Sequence, residues 1–205
     1  MSPAATPELK LTYFDGTGRA ELTRLIFAFG GISFVDKRIQ HADMAALKPS
    51  LLLGQVPTLE IDGKVYAQSI AIARYAAKLS GLMPEDPIEA LRADMVCETA
   101  RDLITSFISA YVEQDVDKKA EITKTFLEET IPKTFGALES MVQGRFFLGD
   151  DKPSYADIHV FDLVHNALAP VFQGFTIAPF PKLHAVMEHI KTNTNIAAYL
   201  QSKQK

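Results

Sequence analysis

The spacing of apolar residues changes character near residue 82, and that change limits the folds open to this chain more than any other feature. Before it, alternating apolar runs interleave with runs spaced by three and four. After it, nearly every run has the helical spacing. KLTYF (10–14) reads as a strand, RAELTRLIFAFGG (19–31) as a helix closed by Gly30 and Gly31, and ISFVDKRI (32–39) as a second strand. HADMAALK (41–48) follows as a short helix. VPTLEI and KVYA flank Asp62-Gly63, a pair suited to a two-residue hairpin turn, and SIAIARYAAKLSG ends as a helix at Gly81.

The order βαβ, α, ββα predicts an α/β, thioredoxin-like unit over residues 1–81, in which a crossover supplies parallel strands and the hairpin supplies antiparallel ones. LMPEDP (82–87), with two prolines and two acids, reads as an exposed linker. Residues 88–205 read as an all-α domain. Leu103, Ile104, Phe107, Ile108 and Tyr111 mark one amphipathic helix, and Ile131, Phe135, Leu138 and Val142 another. Pro132 is expected to kink or break the second, because it removes a helical donor and crowds the preceding turn. In SYADIHVFDLV, Ser154 can cap a helix and Asp157 can return the bond, a short-armed variant of the usual capping box.

With 47% hydrophobic residues among 205, the chain can bury one large core or two small ones. Its 21 basic and 25 acidic residues form no cationic stripe, so nucleic acid is not an expected partner. MSPAATPE lacks a basic region followed by an apolar run, and LIFAFGGI is too short to span a bilayer, so neither secretion nor membrane insertion is expected. One cysteine, Cys97, excludes an internal disulfide framework, which fits the cytoplasm. Cys97 itself reads as a small core residue, and the five histidines show no metal-ligand spacing, so no metal is expected.

LTYFDGTGRAELTRLIFAF, GQVPTLEIDG, QSIAIARYAAK and SYADIHVFD, in this order, resemble the successive signatures of the cytosolic glutathione transferases, those of the sigma class in particular. The resemblance runs from the first strand to the capping box. It implies a glutathione-binding thioredoxin-like domain, a helical domain, a homodimer, and glutathione as co-substrate. It also gives Tyr13 a role. A free thiol has a pKa of about 8.5, so only a few per cent is ionised near neutrality. A tyrosine remains protonated there and can donate its hydroxyl hydrogen to sulfur. Lowering the thiol pKa by roughly two units requires about 2.7 kcal/mol of preferential anion stabilisation, within reach of one charge-assisted hydrogen bond and nearby dipoles. Gly16 and Gly18 would let the backbone pass close to the ligand, and the resemblance makes Arg19 an electrostatic support for the tyrosine and its sulfur.

The remaining residues of the expected site follow from the same resemblance. Val56 precedes a proline and must be extended, leaving its amide and carbonyl to pair with the cysteinyl part of glutathione. The family pattern makes Pro57 a cis-proline. Gln68 and Ser69, at a helix start, would bind the γ-glutamyl carboxylate. Lys48 would meet the glycyl carboxylate, while Gln55 stands where relatives often carry a second lysine. Asp102, or else Glu98, would reach the γ-glutamyl ammonium from the partner subunit. Met44 occupies the place where the sigma-class prostaglandin D isomerase has a tryptophan, at the wall shared by glutathione and the second substrate, and this chain has no tryptophan. The expected activity is conjugation of glutathione to small apolar electrophiles lying between Tyr13 and the helical domain, with peroxide reduction a further possibility. A prostaglandin D isomerase and a non-catalytic crystallin-like protein are the alternatives; a disulfide oxidoreductase would need a cysteine at the first turn.

Overall fold

A computed structural model describes residues 7–203. The chain divides into two compact units, one comprising residues up to Met83 together with the segment from Thr194, the other running from Pro84 to Asn193.

In the first unit the strands β1 (Leu9–Phe14), β2 (Val35–Ile39), β3 (Thr58–Ile61) and β4 (Lys64–Ala67) form a sheet in the order β2-β1-β3-β4. β1 and β2 are parallel; the other two pairings are antiparallel. The parallel pair is joined through α1 (Glu21–Phe29), as the βαβ pattern requires. Asp62 and Gly63 both adopt positive φ, 48° and 80°, which is the geometry an Asp-Gly hairpin turn selects. α2 (Met44–Leu47) is brief, and Gln40 and Asp43 cap the turn leading into it. α3 (Ser69–Leu79) packs on α1. Leu11, Leu25, Ile26, Phe27, Leu59 and Ile72 are buried between helices and sheet. Each such side chain contributes about 2 kcal/mol of transfer free energy.

The second unit is helical. α4 (Pro87–Val112) starts where proline is tolerated, and the Asp86 carboxylate accepts from the Ile88 and Glu89 amides at 2.9 Å. α5 (Val116–Thr125) runs through a wide π-type turn, Phe126–Thr130, into α6 (Ile131–Met141). Pro132 lies in the first turn of α6, so the break expected near it takes the form of this turn, in which the Ile131 amide donates to Phe126. α7 (Tyr155–Asp162) is entirely buried along its length, and α8 (Pro181–Lys191) follows. Ser154 and Asp157 form the expected capping box, with Asp157 Oδ2 accepting from the Ser154 amide at 2.7 Å and its hydroxyl at 2.9 Å.

The final helix, α9 (Thr194–Ser202), groups with the first unit. Asn195 Nδ2 donates to the Phe29 carbonyl at 3.1 Å, and Ile196 is fully buried. The thioredoxin-like sheet followed by a helical unit is the fold class expected of the sequence. Among the described residues no helix is long and apolar enough to cross a membrane.

Candidate active site

Strand register gathers most of the expected residues at one end of the sheet. Thr12 of β1 pairs with Thr58 of β3, so the next residue, Tyr13, stands across from Pro57. Thr58 also pairs with Ala67, the last residue of β4, which brings Gln68 and Ser69 to the same end. β2 ends there too, since Phe14 pairs with Ile39, and the segment that follows carries Met44 and Lys48.

Tyr13 is half-buried, and its hydroxyl oxygen accepts from the Arg19 backbone amide at 3.1 Å. A hydroxyl that accepts in this way keeps its own proton to donate elsewhere, and the amide polarises it toward doing so. The turn between them needs glycine at one place. Gly18 has φ +46°, and a Cβ there would lie 2.5 Å from the Tyr13 oxygen. At Gly16 a Cβ would meet nothing within 4 Å; that residue contributes its carbonyl instead.

An arginine not singled out from sequence also lies beside the tyrosine's ring. Arg19 is exposed and touches Tyr13 through its backbone. Arg24 is fully buried, with its guanidinium carbon 5.8 Å from the centre of the Tyr13 ring. Its Nη1 donates to the Gly16 carbonyl at 2.6 Å and to Glu21 at 3.2 Å, and its Nε to Asp36 at 3.1 Å. A signal for this pair was present: ELTRLIFAF puts Glu21 and Arg24 one turn apart in an otherwise apolar helix, where an i,i+3 charge pair can be buried only if matched.

Val56 is half-buried and Pro57 buried; the bond between them is cis. Gln68 has φ +77°, uncommon for a residue with a side chain, and its carbonyl accepts from Ile72 at 3.0 Å. That geometry opens α3 abruptly and leaves the amides of its first turn without intrahelical acceptors. Strain of this kind recurs where a backbone is shaped for a ligand. Lys48 and Gln55 are exposed; the Lys48 stem lies against Gly54, beside Gln55, and Met44 is half-buried at the start of α2. Phe14 stacks on His41 with ring centres 4.0 Å apart.

Asp102 belongs to the second unit. It is 77% exposed on α4, where Arg101 pairs with Glu98 at 2.5 Å and with Asp102 at 3.5 Å. Cys97 is buried, and burial, followed by the nearby Asp94 charge, pushes its thiol pKa well up, so it is an unreactive core thiol. Among the described residues no group of three or more His, Cys, Asp or Glu is placed to hold a metal ion.

Residues 9–78 match the family model of the glutathione S-transferase N-terminal domain, and residues 101–203 that of the C-terminal domain. The hematopoietic prostaglandin D synthase of Gallus gallus is 34% identical over 97% of this chain and 98% of its own. This chain belongs to the glutathione S-transferase family. A glutathione S-transferase of Anopheles gambiae is 32% identical over 96% of the chain and 97% of its own. Among solved structures, the sigma-class glutathione transferase of Fasciola hepatica superposes with a TM-score of 0.85, at 26% identity, covering 97% and 98% of the two chains. The transferase chemistry uses glutathione as co-substrate, and the shared end of the sheet, with Tyr13 at its centre, is the candidate place for it.

Proposed function

We propose that Tyr13 donates its hydroxyl hydrogen bond to the sulfur of bound glutathione and holds it as the thiolate that attacks small electrophiles. The observation that carries this reading is the 3.1 Å bond from the Arg19 amide to the Tyr13 oxygen, which leaves the hydroxyl proton to point away from the protein backbone. Val56 would pair with the cysteinyl backbone, Gln68 and Ser69 would bind the γ-glutamyl carboxylate, and Lys48 would meet the glycyl carboxylate. Gln55 supplies no second cation there, and Met44 closes the site beside the second substrate. Arg19 acts through its amide in this scheme. Tyr13→Phe keeps the ring and removes the bond to sulfur. Glutathione affinity should therefore stay within a small factor while the thiol pKa of the complex rises by about two units and conjugation falls sharply. Thiolate absorbance of the complex, titrated against pH, measures this; an unchanged pKa would sink the assignment.

The functional assembly is a cytoplasmic, two-fold symmetric homodimer. Ile88, Leu91 and Met95 support it, forming an exposed apolar row along α4, 62%, 56% and 50% accessible. Beside the row lies a cavity of about 240 Å³ lined by Met95, Val96, Met141 and Phe147. In the dimer Asp102, or Glu98, would approach the neighbour's γ-glutamyl ammonium.

Prostaglandin D isomerisation starts from the same thiolate, and some relatives carry that activity in their names. Met44, in a chain without tryptophan, favours the broader chemistry, because a flexible thioether makes a less rigid wall than an indole. The proposed order of specificity constants places a chlorinated nitroaromatic and an organic hydroperoxide above the prostaglandin endoperoxide. A dominant D-type product from the endoperoxide would reverse it. Absence of turnover with all three would favour the crystallin-like reading.

A further inference from the structure

Under the Tyr13 turn lies a buried charge cluster that reaches to the far end of the described chain. The Glu21 side chain is fully buried, and its carboxylate takes bonds from three directions: Arg24 Nη1 at 3.2 Å, the Tyr199 hydroxyl at 2.9 Å, and the Lys203 ammonium. Arg24 in turn donates to the Gly16 carbonyl at 2.6 Å and the Thr17 carbonyl at 3.4 Å. Those residues lead into Gly18 and Arg19, whose amide holds the Tyr13 oxygen. On the other side Asp36 accepts from Arg24 and from Arg38, and Arg38 also meets Asp15 at 3.5 Å. Lys203 lies over the Tyr199 ring at 4.8 Å with only 26% of its side chain exposed, a long way from the freedom of a surface lysine.

We infer that Tyr199 and Lys203 are positioning residues for thiol activation, acting through Glu21 and Arg24 on the turn that holds Tyr13. The charges explain why both ends are needed. With Glu21 shared between two cations, Arg24 is free to commit Nη1 to the turn carbonyls and its positive face to the tyrosine ring. Without Lys203 the buried Glu21 carboxylate retains Arg24 as its sole cation, which draws the guanidinium toward Glu21. One positive charge is also lost below the site where the thiolate forms. Burial and the Glu21 charge raise the Tyr199 pKa, so its proton remains available to donate to Glu21.

The inference rests on the Tyr13 reading, and one set of titrations separates the two. Thiolate absorbance of the glutathione complex is followed against pH in the wild type, Tyr13→Phe, Tyr199→Phe, Lys203→Gln and Lys203→Arg. Lys203→Gln should raise the thiol pKa by about half a unit, a threefold loss of thiolate below the pKa, and Tyr199→Phe by somewhat less. The kcat should fall threefold at mildly acidic pH and recover above the thiol pKa, with the KM for glutathione unchanged, and Lys203→Arg should restore both. An unmoved thiol pKa in both C-terminal variants, alongside a raised one in Tyr13→Phe, overturns the inference and spares the Tyr13 assignment; a lowered melting temperature alone counts as this outcome. An unmoved pKa in Tyr13→Phe overturns both.

Discussion

A methyl group at position 18 would have to occupy the space of the Tyr13 hydroxyl, 2.5 Å away, on a backbone whose φ of +46° already disfavours a side chain. Gly18→Ala should therefore cost about 1–2 kcal/mol of stability and also displace the tyrosine, raising the thiol pKa of the glutathione complex. Denaturant melts and thiolate titration read the two effects separately; a stable variant with an unchanged thiol would contradict the close approach. His159 carries a different kind of constraint. It is buried on α7 with Nδ1 lacking a hydrogen-bond partner among the described residues. Burial first, then the Arg101 charge, lowers its pKa from 6.5 to about 4. Because the folded value is the depressed one, the unfolded chain takes up the proton first as pH falls. Stability is complete above pH 6.5 and declines toward pH 4, by at most about 3 kcal/mol from this group. Asp157, whose pKa burial raises, has the opposite sign, because there the folded state takes up the proton first as pH falls toward the ordinary carboxylate value. Urea midpoints across the window should fall less steeply in His159→Leu than in the wild type, whatever the variant's stability at neutral pH.

Among the elements, α7 depends most on a single side chain. Asp157 Oδ1 accepts from the Phe147 amide at 2.9 Å while Oδ2 serves the Ser154 amide and hydroxyl, so one carboxylate ties the preceding loop to the helix start. Asp157→Ala would orphan buried donors and should cost about 3 kcal/mol; Ser154→Ala, which loses the cap to Ala156, should cost about 1 kcal/mol. Equilibrium urea unfolding gives both values, and equal costs would mean that neither the Phe147 nor the Ser154 amide bond to Asp157 contributes. The capping box was legible because its two partners are three residues apart. The bond to Phe147 spans ten residues of irregular chain and has no local signature.

At the scale of the molecule, the apolar row Ile88, Leu91 and Met95 predicts the oligomeric state. The wild type should sediment at twice 22.6 kDa, and Leu91→Glu, which buries a charge in the proposed contact, should shift it toward that single mass at micromolar concentration. A variant that stays dimeric would move the contact elsewhere. Where Leu91→Glu is monomeric, its glutathione binding reports on Asp102 and Glu98. A monomer that binds as tightly as the dimer leaves neither acid a role.

Local chemistry determined much of this protein. The period of the apolar pattern, Asp62-Gly63 and the Ser154–Asp157 box are each readable within a few residues, since hairpins, caps and helix faces are made by near neighbours; the segment 82–87, read as a linker, instead supplies the Asp86 cap and the first residue of α4. The order of strands and the signatures around Tyr13, Pro57 and Ser69 pointed to the family and to the candidate site. What the tertiary structure decided is how distant charges are matched. Arg24, in the first helix, and Lys203, near the other end of the described residues, meet on Glu21, because a carboxylate taken out of water must find cations wherever the fold can bring them. Likewise α9 has a helical pattern that does not reveal its partner. Its place beside α1 is set by the burial of Ile196 and the bonds from Asn195 and Tyr199, which exist only once the first unit has formed.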